Sequence, residues 1–350
     1  MNFKPFWRYA LVLFAPAAMN LVAAQTPPVA APPVQADAKS ADRGVGEWLM
    51  RMHDASRKRA YTGTFVVSSA SGNLSSARIW HVCEGDQQME RVEALTGVPR
   101  STFRHNDQVI TFFPQTQVAR TERRESLGLF PNLLKSSDSA IDEFYAARQV
   151  GSDRVAGFDA SVVQLKPKDK LRYGYRIWSE KKSGLVVKLQ TLDTDGRVLE
   201  QAAFSDLQID APVKMGTLVH MMGDTAGYKV VTTELVKTTA AAEGWSLKNP
   251  VAGFKPMSCY KRPMAADGGA IGAADNTLQW VFSDGLASVS LFVEAYDPSR
   301  HTREAHLVMG ATQMLTRHLS GPTGDWWITV VGEVPLQTLK AFAQSLERTK

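Results

Sequence analysis

The centre of this chain carries short strand-like segments joined by glycine-ended loops, and this pattern constrains the fold more than any other feature. The loops Lys-Lys-Ser-Gly and Asp-Thr-Asp-Gly separate three segments rich in β-branched and aromatic residues, at 172–179, 185–192 and 197–207. Short loops that end in glycine are typical of tight turns between antiparallel neighbours. The three segments therefore predict an antiparallel meander.

The β pattern extends towards the N-terminus as far as Tyr61. Apolar segments bounded by Ser, Gly, Asn and Asp predict further strands, at 62–68, 76–82, 88–95, 102–105 and 108–113. In this first part of the chain, helical periodicity is limited to residues 45–55, where Asp42 would cap the helix, and to 139–148. The first folded part is therefore predicted to be a long antiparallel sheet with one or two helices, which is the α+β class.

A second, smaller α+β part is predicted nearer the C-terminus. Residues 277–282 and 287–295 form a predicted hairpin around Ser283-Asp284-Gly285, and 326–331 is a further strand. The segment 334–346 has the periodicity of a helix, with Pro335 at its first position. Residues 264–274 are rich in glycine and alanine and predict a surface loop.

The N-terminus has the composition of a secretory signal. Lys4 and Arg8 precede an apolar run that reaches only about half of the roughly 20 residues that a membrane-spanning helix needs, and Val22-Ala23-Ala24 supplies the small residues of a cleavage site. We expect cleavage near Ala24, and hence a soluble protein in the periplasm of a Gram-negative bacterium. The predicted parts are a signal peptide (1–24), a disordered Pro/Ala-rich spacer (25–41), a first domain (42–210), a linker (211–229) and a second domain (230–350).

The sequence carries no motif that indicates catalysis or metal binding. It lacks the G-x-S-x-G of serine hydrolases, and its seven histidines form no H-E-x-x-H pattern. The cysteines Cys83 and Cys259 fall in different predicted domains, so we expect them to be unpaired. The net charge of +5, which includes Lys4 and Arg8 of the leader, is too small to indicate a nucleic-acid partner. We expect no enzymatic activity, no metal and no cofactor.

The remaining functional signal is apolar and aromatic surface on predicted strands. Because side chains alternate across a strand, several candidates share faces: Phe65 with Val67, Ile110 with Phe112, Tyr173 with Tyr175, and Arg172 and Arg176 with Trp178. Two interpretations stay open. The first is a packed core beneath a solvated face, and the second is an apolar concavity for acyl chains with arginines near its rim for phosphates.

Five segments resemble a known family. Three of them resemble the meander of the RseB/MucB family of sigma-E regulatory proteins: Arg172-Tyr-Gly-Tyr-Arg-Ile-Trp178, Gly184-Leu-Val-Val-Lys-Leu-Gln-Thr-Leu-Asp193 and Val198-Leu-Glu-Gln201. Val281-Phe-Ser-Asp-Gly-Leu-Ala-Ser-Val-Ser-Leu-Phe-Val-Glu294 and Trp327-Ile-Thr-Val-Val-Gly-Glu-Val-Pro335 resemble its C-terminal part. The resemblance covers both predicted domains in the same order, which is essentially the whole mature chain.

The resemblance implies a periplasmic binding protein. Its larger domain would be an incomplete antiparallel β-barrel over helices, like the lipoprotein carriers LolA and LolB, and its smaller domain would help to hold the periplasmic region of a membrane-spanning anti-sigma factor of the RseA/MucA kind. The bound protein would shield that factor from first-site proteolysis. Lipopolysaccharide or a mislocalised lipoprotein in the apolar cavity would release it.

The loop Ser283-Asp284-Gly285 is the candidate for partner contact, although its simpler role is that of a hairpin turn. Two alternatives to a regulator also remain. A periplasmic lipid or lipoprotein carrier would need no second domain, and an enzyme acting on the envelope would need a buried cluster of groups with shifted pKa values in a cleft. Homo-oligomerisation stays open.

Overall fold

The computed structural model describes residues 44–123, 141–233, 235–262, 277–321 and 324–349. The expected signal peptide and spacer, the expected cap Asp42 and the expected loop 264–274 lie outside these residues. None of the helices in the described ranges is long and apolar enough to cross a membrane.

The larger of the sheets has twelve strands. In chain order they are β1 (Tyr61–Ser69), β2 (Leu74–Glu84), β3 (Gln87–Ala94), β4 (Ser101–His105), β5 (Gln108–Phe113), β6 (Val118–Arg123), β7 (Tyr145–Val155), β8 (Phe158–Pro167), β9 (Gly174–Glu180), β10 (Val186–Leu192), β11 (Val198–Ile209) and β12 (Lys229–Thr233). Their spatial order is β12-β6-β5-β4-β3-β2-β1-β11-β10-β9-β8-β7. The sheet does not close between β12 and β7, so it is an incomplete barrel, as expected.

Neighbouring strands of this sheet are antiparallel, with the exception of the parallel pair β12 and β6. The predicted meander is confirmed as β9, β10 and β11. Its last strand pairs with β1, which joins the beginning of the domain to its end. This long-range pair brings Phe65 of β1 opposite Phe204 of β11.

The helix α1 (Val45–Lys58) covers part of the larger sheet. It buries Val45, Trp48, Leu49, Met52 and Ala55, which are the residues whose spacing predicted it. Its core cluster includes residues of β8, β9 and β10. Burial of this stripe, more than helix propensity, stabilises a helix of this length.

The helix predicted over 139–148 is wrong for most of its length. Within the described part of that segment only α2 (Ile141–Phe144) is helical, and the chain then continues as β7. The turn Ala156-Gly157 has positive φ angles of 48° and 85° and folds β7 back onto β8. The apolar spacing of this segment also fits one helical turn, which explains the prediction. Pairing of β7 with β8 satisfies the backbone N–H and C=O groups of the segment, and it therefore forms a strand.

The segment interpreted as a linker, residues 211–229, contains the helix α3 (Met215–Gly223). Met215, Leu218 and Met222 are buried against Val82, Met89 and Phe103 of the larger sheet. The strand β12 begins at Lys229 and adds to the same sheet beside β6. The structure thus attaches both elements to the larger sheet.

The second sheet has seven strands in the order β13-β15-β16-β17-β20-β19-β18, and a separate two-stranded sheet pairs β14 with β21. The elements after β12 are β13 (Val236–Lys237), β14 (Trp245–Leu247), β15 (Lys255–Arg262), β16 (Thr277–Ser283), β17 (Ser288–Ala295), β18 (His306–Met309), β19 (Thr312–Gly321), β20 (Gly324–Gly332), α4 (Leu336–Ser345) and β21 (Leu346–Arg348). The predicted hairpin and C-terminal helix are confirmed, although Pro335 is the N-cap and not the first helical residue. Leu339 and Phe342 of α4 are fully buried in the core of this domain.

Candidate functional site

Arg172 lies in the loop between β8 and β9, and its side chain is completely buried. A buried guanidinium must be paired and hydrogen-bonded, because leaving its charge uncompensated costs several kcal/mol. Its Nε donates to Oδ2 of Asp284 at 2.8 Å, and its other nitrogens donate to the Asp169 carboxylate and to the Ala252 carbonyl. Asp284 and Ala252 belong to the second domain, so this side chain joins the two domains.

Aromatic side chains from both domains surround the same guanidinium. Its central carbon lies 4.1 Å from the ring centroid of Phe144 in α2 and 5.0 Å from that of Phe254 in the second domain. The hydroxyl of Tyr145 donates to Oδ2 of Asp284 at 3.1 Å. We call Arg172, Asp284, Phe144, Tyr145 and Phe254 the Arg172 interface.

The tyrosines near this interface are held in their protonated form. Burial raises the pKa of Tyr145 well above its usual range, and the neighbouring Tyr175 and Asp284 add to the effect. Burial likewise raises the pKa of Tyr175. The Tyr145 hydroxyl therefore remains a hydrogen-bond donor to Asp284 at any physiological pH.

The expected partner-contact loop forms the hairpin turn between β16 and β17. Oδ1 of Asp284 accepts from the backbone N–H groups of Leu286 at 2.9 Å and Ala287 at 2.7 Å, and the Ser283 hydroxyl donates to the Ala287 carbonyl at 2.8 Å. Gly285 has a φ of 102°, which favours glycine at this position. In this conformation all three predicted residues are buried, and the Asp284 carboxylate faces the first domain and not solvent.

Further contacts surround the Arg172 interface. The Thr338 hydroxyl at the start of α4 donates to the Leu171 carbonyl at 2.7 Å, and the Gln313 side chain donates to the hydroxyl of Tyr173. Tyr173 therefore points to the second domain. The side chain of Leu286 is buried in the cluster beneath α1 in the first domain.

The structure separates the remaining lipid-cavity candidates into three apolar clusters. Phe65, Val67 and Trp178 share one cluster with Phe204. Tyr175 belongs to the cluster beneath α1, and Ile110 and Phe112 lie together beneath α3. Apart from the half-buried Val67, these side chains are buried, so the candidate surfaces are packed with protein side chains in this conformation.

The predicted arginine rim is wrong for Arg172, because β9 begins only at Gly174 and the arginine turns into the domain interface. Arg176 is half-buried and donates to the Gln190 side chain at 3.5 Å. The indole N–H of Trp178 donates to Asp153 at 2.9 Å. An open groove of about 610 Å³ lies elsewhere, beside α1, and its lining includes Met50, Lys58 and Asp210 but none of the sequence candidates.

Sequence reasoning missed a second polar row, in which two side chains are buried and two are partly buried. Tyr61, His81, Glu90 and Arg104 are register partners across β1 to β4. The rings of Tyr61 and His81 stack at 4.8 Å, and an Arg104 nitrogen lies 3.7 Å from a Glu90 carboxylate oxygen. Burial lowers the pKa of His81 to about 4. Hydrophobic periodicity alone assigns no partners to these residues, so only the strand register brings them together.

Cys83 and Cys259 are unpaired, as expected. Burial raises the pKa of Cys259 to about 11, which makes its thiol a poor nucleophile. Among the described residues, no three His, Cys, Asp or Glu side chains come together as a metal site.

The chain thus has the architecture of a two-domain protein, in which an incomplete barrel is joined through buried charges to a smaller sheet with a C-terminal helix. The family model of the MucB/RseB N-terminal domain matches residues 44–222, and that of the MucB/RseB C-terminal domain matches residues 239–347. The chain therefore belongs to the MucB/RseB family.

Individual relatives agree with this assignment. The chain is 29% identical over 308 residues to the sigma factor AlgU regulatory protein MucB of Pseudomonas aeruginosa, covering 86% of this chain and 90% of that protein. It is 24% identical over 321 residues to the sigma-E factor regulatory protein RseB of Escherichia coli K12, covering 88% and 92%. The solved complex of Pseudomonas aeruginosa MucA and MucB matches with a TM-score of 0.66 and 27% identity, over 87% of this chain and 98% of that chain.

Proposed function

We propose that this protein is a periplasmic negative regulator of a sigma-E-type envelope stress response. It binds the periplasmic region of a membrane-spanning anti-sigma factor and is not an enzyme. The observation that carries the proposal is the match of both domains, in order, to a family that includes a MucB solved in complex with the periplasmic part of MucA. The matched C-terminal domain favours a regulator over a simple lipid carrier, which would not need it.

The proposed regulation has two parts. The bound protein shields the anti-sigma factor from first-site proteolysis, and lipopolysaccharide or a mislocalised lipoprotein releases it. A ligand shifts such an equilibrium only by the difference in its affinity for the bound and free states. The acyl chains must therefore prefer a conformation of this protein that holds the anti-sigma factor weakly.

The packed interior sets a condition on lipid entry. Phe65 and Phe204 are in edge-to-face contact at 6.2 Å, and they share a buried cluster with Trp178. An acyl chain can enter this cluster only if some of these side chains move, because protein interiors leave few voids larger than a water molecule. Lipid binding is therefore coupled to repacking of the first domain.

A binding titration tests the proposal. The affinity of the full mature chain for the anti-sigma factor's periplasmic domain is measured with increasing lipopolysaccharide, and cleavage of that domain by the first-site protease is followed in parallel. We expect binding, protection from cleavage, and loss of both as lipopolysaccharide increases. Deacylated lipopolysaccharide, which keeps the phosphates and lacks the acyl chains, is the control and should have little effect.

Each part can fail separately. An affinity that stays constant across the titration would remove the lipid-sensing part and leave the regulator. A chain that binds lipopolysaccharide but neither binds nor protects the anti-sigma factor would be a carrier. Equal effects of intact and deacylated lipopolysaccharide would assign recognition to the phosphates and not to the acyl chains.

A further inference from the structure

The Arg172 interface is the place where the two domains share a set of buried charges. Arg172 and Asp284 are both completely buried as side chains, and the pair is 2.8 Å apart. The first domain contributes Phe144 and Tyr145, and the second contributes Phe254. Arg172, Tyr145, Asp284 and Phe254 therefore each have a partner in the other domain.

We propose that the Arg172–Asp284 pair couples the first domain to the second by holding them in a closed arrangement, so that a ligand in the first domain changes partner affinity through this pair. The inference rests on the proposed function, because it concerns how a lipid in one domain reaches an anti-sigma factor held by the other. It assigns to Arg172 and Asp284 a positioning role.

A direct mechanical connection links the pair to the interior of the first domain. Leu286 follows Asp284 by two residues and is buried in the cluster that α1, Tyr145 and Tyr175 form. Tyr145 belongs to that cluster and also donates to Asp284. A ligand that shifts α1 or expands this cluster must therefore move Leu286 and Tyr145 together, and with them the carboxylate that Arg172 binds.

The chemistry of the pair suits an arrangement that can open. A buried ion pair gains attraction between its charges but loses the solvation of both, so its net contribution to stability is small compared with that of an apolar contact. Opening returns both side chains to water and restores their hydration. The closed and open arrangements can therefore lie close in free energy, which lets a ligand shift between them.

Asp284→Asn is the sharpest test. The asparagine keeps the Oδ1 acceptor that holds the Leu286 and Ala287 N–H groups, and it removes the charge that pairs with Arg172. The matched control is Asp195→Asn, whose carboxylate is 66% exposed and 3.8 Å from Arg197. For each full-length variant, affinity for the anti-sigma factor's periplasmic domain is measured with and without lipopolysaccharide.

The parent and the control should lose affinity on adding lipopolysaccharide by a factor of about 5 to 150, the usual range of coupling between sites. In Asp284→Asn that factor should fall to about one. If Asp284→Asn keeps the parent's factor, the coupling role is overturned while the proposed function stands. If the parent itself shows no lipopolysaccharide effect, the lipid-sensing part of the proposed function fails and the coupling role fails with it.

If Asp284→Asn fails to fold, a milder variant and a second measurement still test the proposal. Tyr145→Phe keeps the ring in its cluster and removes only the hydroxyl that donates to Asp284, so its factor should lie between those of the parent and Asp284→Asn. Amide hydrogen exchange over residues 169–173 and 250–254 should be faster in both variants than in the parent. If Tyr145→Phe shows the same hydrogen exchange as the parent and the same loss of affinity on adding lipopolysaccharide, the proposed closed arrangement is overturned.

Discussion

At the scale of single residues, the two that matter most in this molecule were singled out from the sequence for separate reasons. Arg172 was expected to meet lipid phosphates and Asp284 to meet a partner protein. The structure pairs them with each other across 112 residues of sequence. Residue type and strand alternation predict on which face of a strand a side chain lies. Which residue it pairs with depends on how the two domains pack together, and no local sequence pattern encodes that packing.

Gly253 gives a prediction at the same scale. Its φ is +82°, and a Cβ at this position would meet the Arg172 guanidinium and lie 2.7 Å from the Phe144 ring. We expect Gly253→Ala to destabilise the protein by roughly 1 kcal/mol for the left-handed backbone and by about 1–3 kcal/mol more for the overpacking. Urea denaturation measures the sum.

Gly72→Ala separates these two contributions. Gly72 has nearly the same φ, +85°, but a Cβ there would have no neighbour within 4 Å. It should therefore show only the backbone cost. Equal losses for Gly72→Ala and Gly253→Ala would mean that the space around Arg172 is not tightly packed.

At the scale of secondary-structure elements, the sequence predicted those with clear boundaries. The meander and the β16–β17 hairpin carry glycine-ended turns, and α1 and α4 carry regular apolar stripes. The hairpin of β7 and β8 was missed because its turn is Ala156-Gly157, a weak signal within an otherwise unbroken segment. Strand pairing, a tertiary contact, decided between one helical turn and a strand there.

The helix α3 was missed for a different reason. The predicted linker (211–229) contains Pro212 and glycines at 216, 223 and 227, which disfavour a helix, although Met215, Leu218 and Met222 recur at helical spacing. Glycine in a helix costs only about 1 kcal/mol relative to alanine. Burial of three large apolar side chains against the sheet outweighs that cost.

Two adjacent residues of α3 test whether docking holds it. Leu218 is 5% exposed and Val219 is 39% exposed. Leu218→Ala should destabilise the first domain by about 2–5 kcal/mol, because it removes buried apolar contacts and leaves a cavity. Val219→Ala should change stability by no more than about 0.5 kcal/mol. Thermal unfolding of both variants provides the measurement, and similar losses would argue against a docked helix.

At the scale of the whole molecule, the family and the order of its domains were readable from the sequence because the resemblance spans both domains. The sequence did not show whether the apolar strand faces line a lipid cavity. An amphipathic strand predicts which side chains share a face, but Phe65 and Trp178 look the same whether they line a cavity or fill it. That difference depends on the curvature of the whole sheet and on which helix covers it.

The stability of the folded chain should depend on His81 under mild acid. Its folded pKa is about 4, lowered mainly by burial and further by Arg104 and Arg57, whereas its ordinary value is 6.5. Between pH 4 and pH 6.5, His81 is protonated in the unfolded chain and neutral in the folded chain. Stability is therefore fully present above about pH 6.5 and falls as the pH drops towards 4, by up to about 3 kcal/mol.

His81→Gln tests this dependence, because glutamine does not titrate. The difference in unfolding free energy between about pH 7 and pH 5 should be smaller in His81→Gln than in the parent. Burial raises the pKa of Glu90, the register partner of His81, and this partly offsets the effect in both proteins. His220→Gln, on the exposed side of α3, should keep the parent's dependence. An unchanged dependence in His81→Gln would place the acid-sensitive group elsewhere.

The short connection between the two sheets limits how far apart they can move at that point if the proposed opening occurs. The strand β12 ends at Thr233 in the larger sheet, and β13 begins at Val236 in the other. The Cα atoms of Thr233 and Val236 are three peptide units apart, which span at most about 11 Å. The ends of the two sheets therefore stay close together at this point. Such a tether gives the parted surfaces an effective concentration on the order of millimolar. Under the proposed opening, a weak contact would then be enough to bring the two surfaces together again.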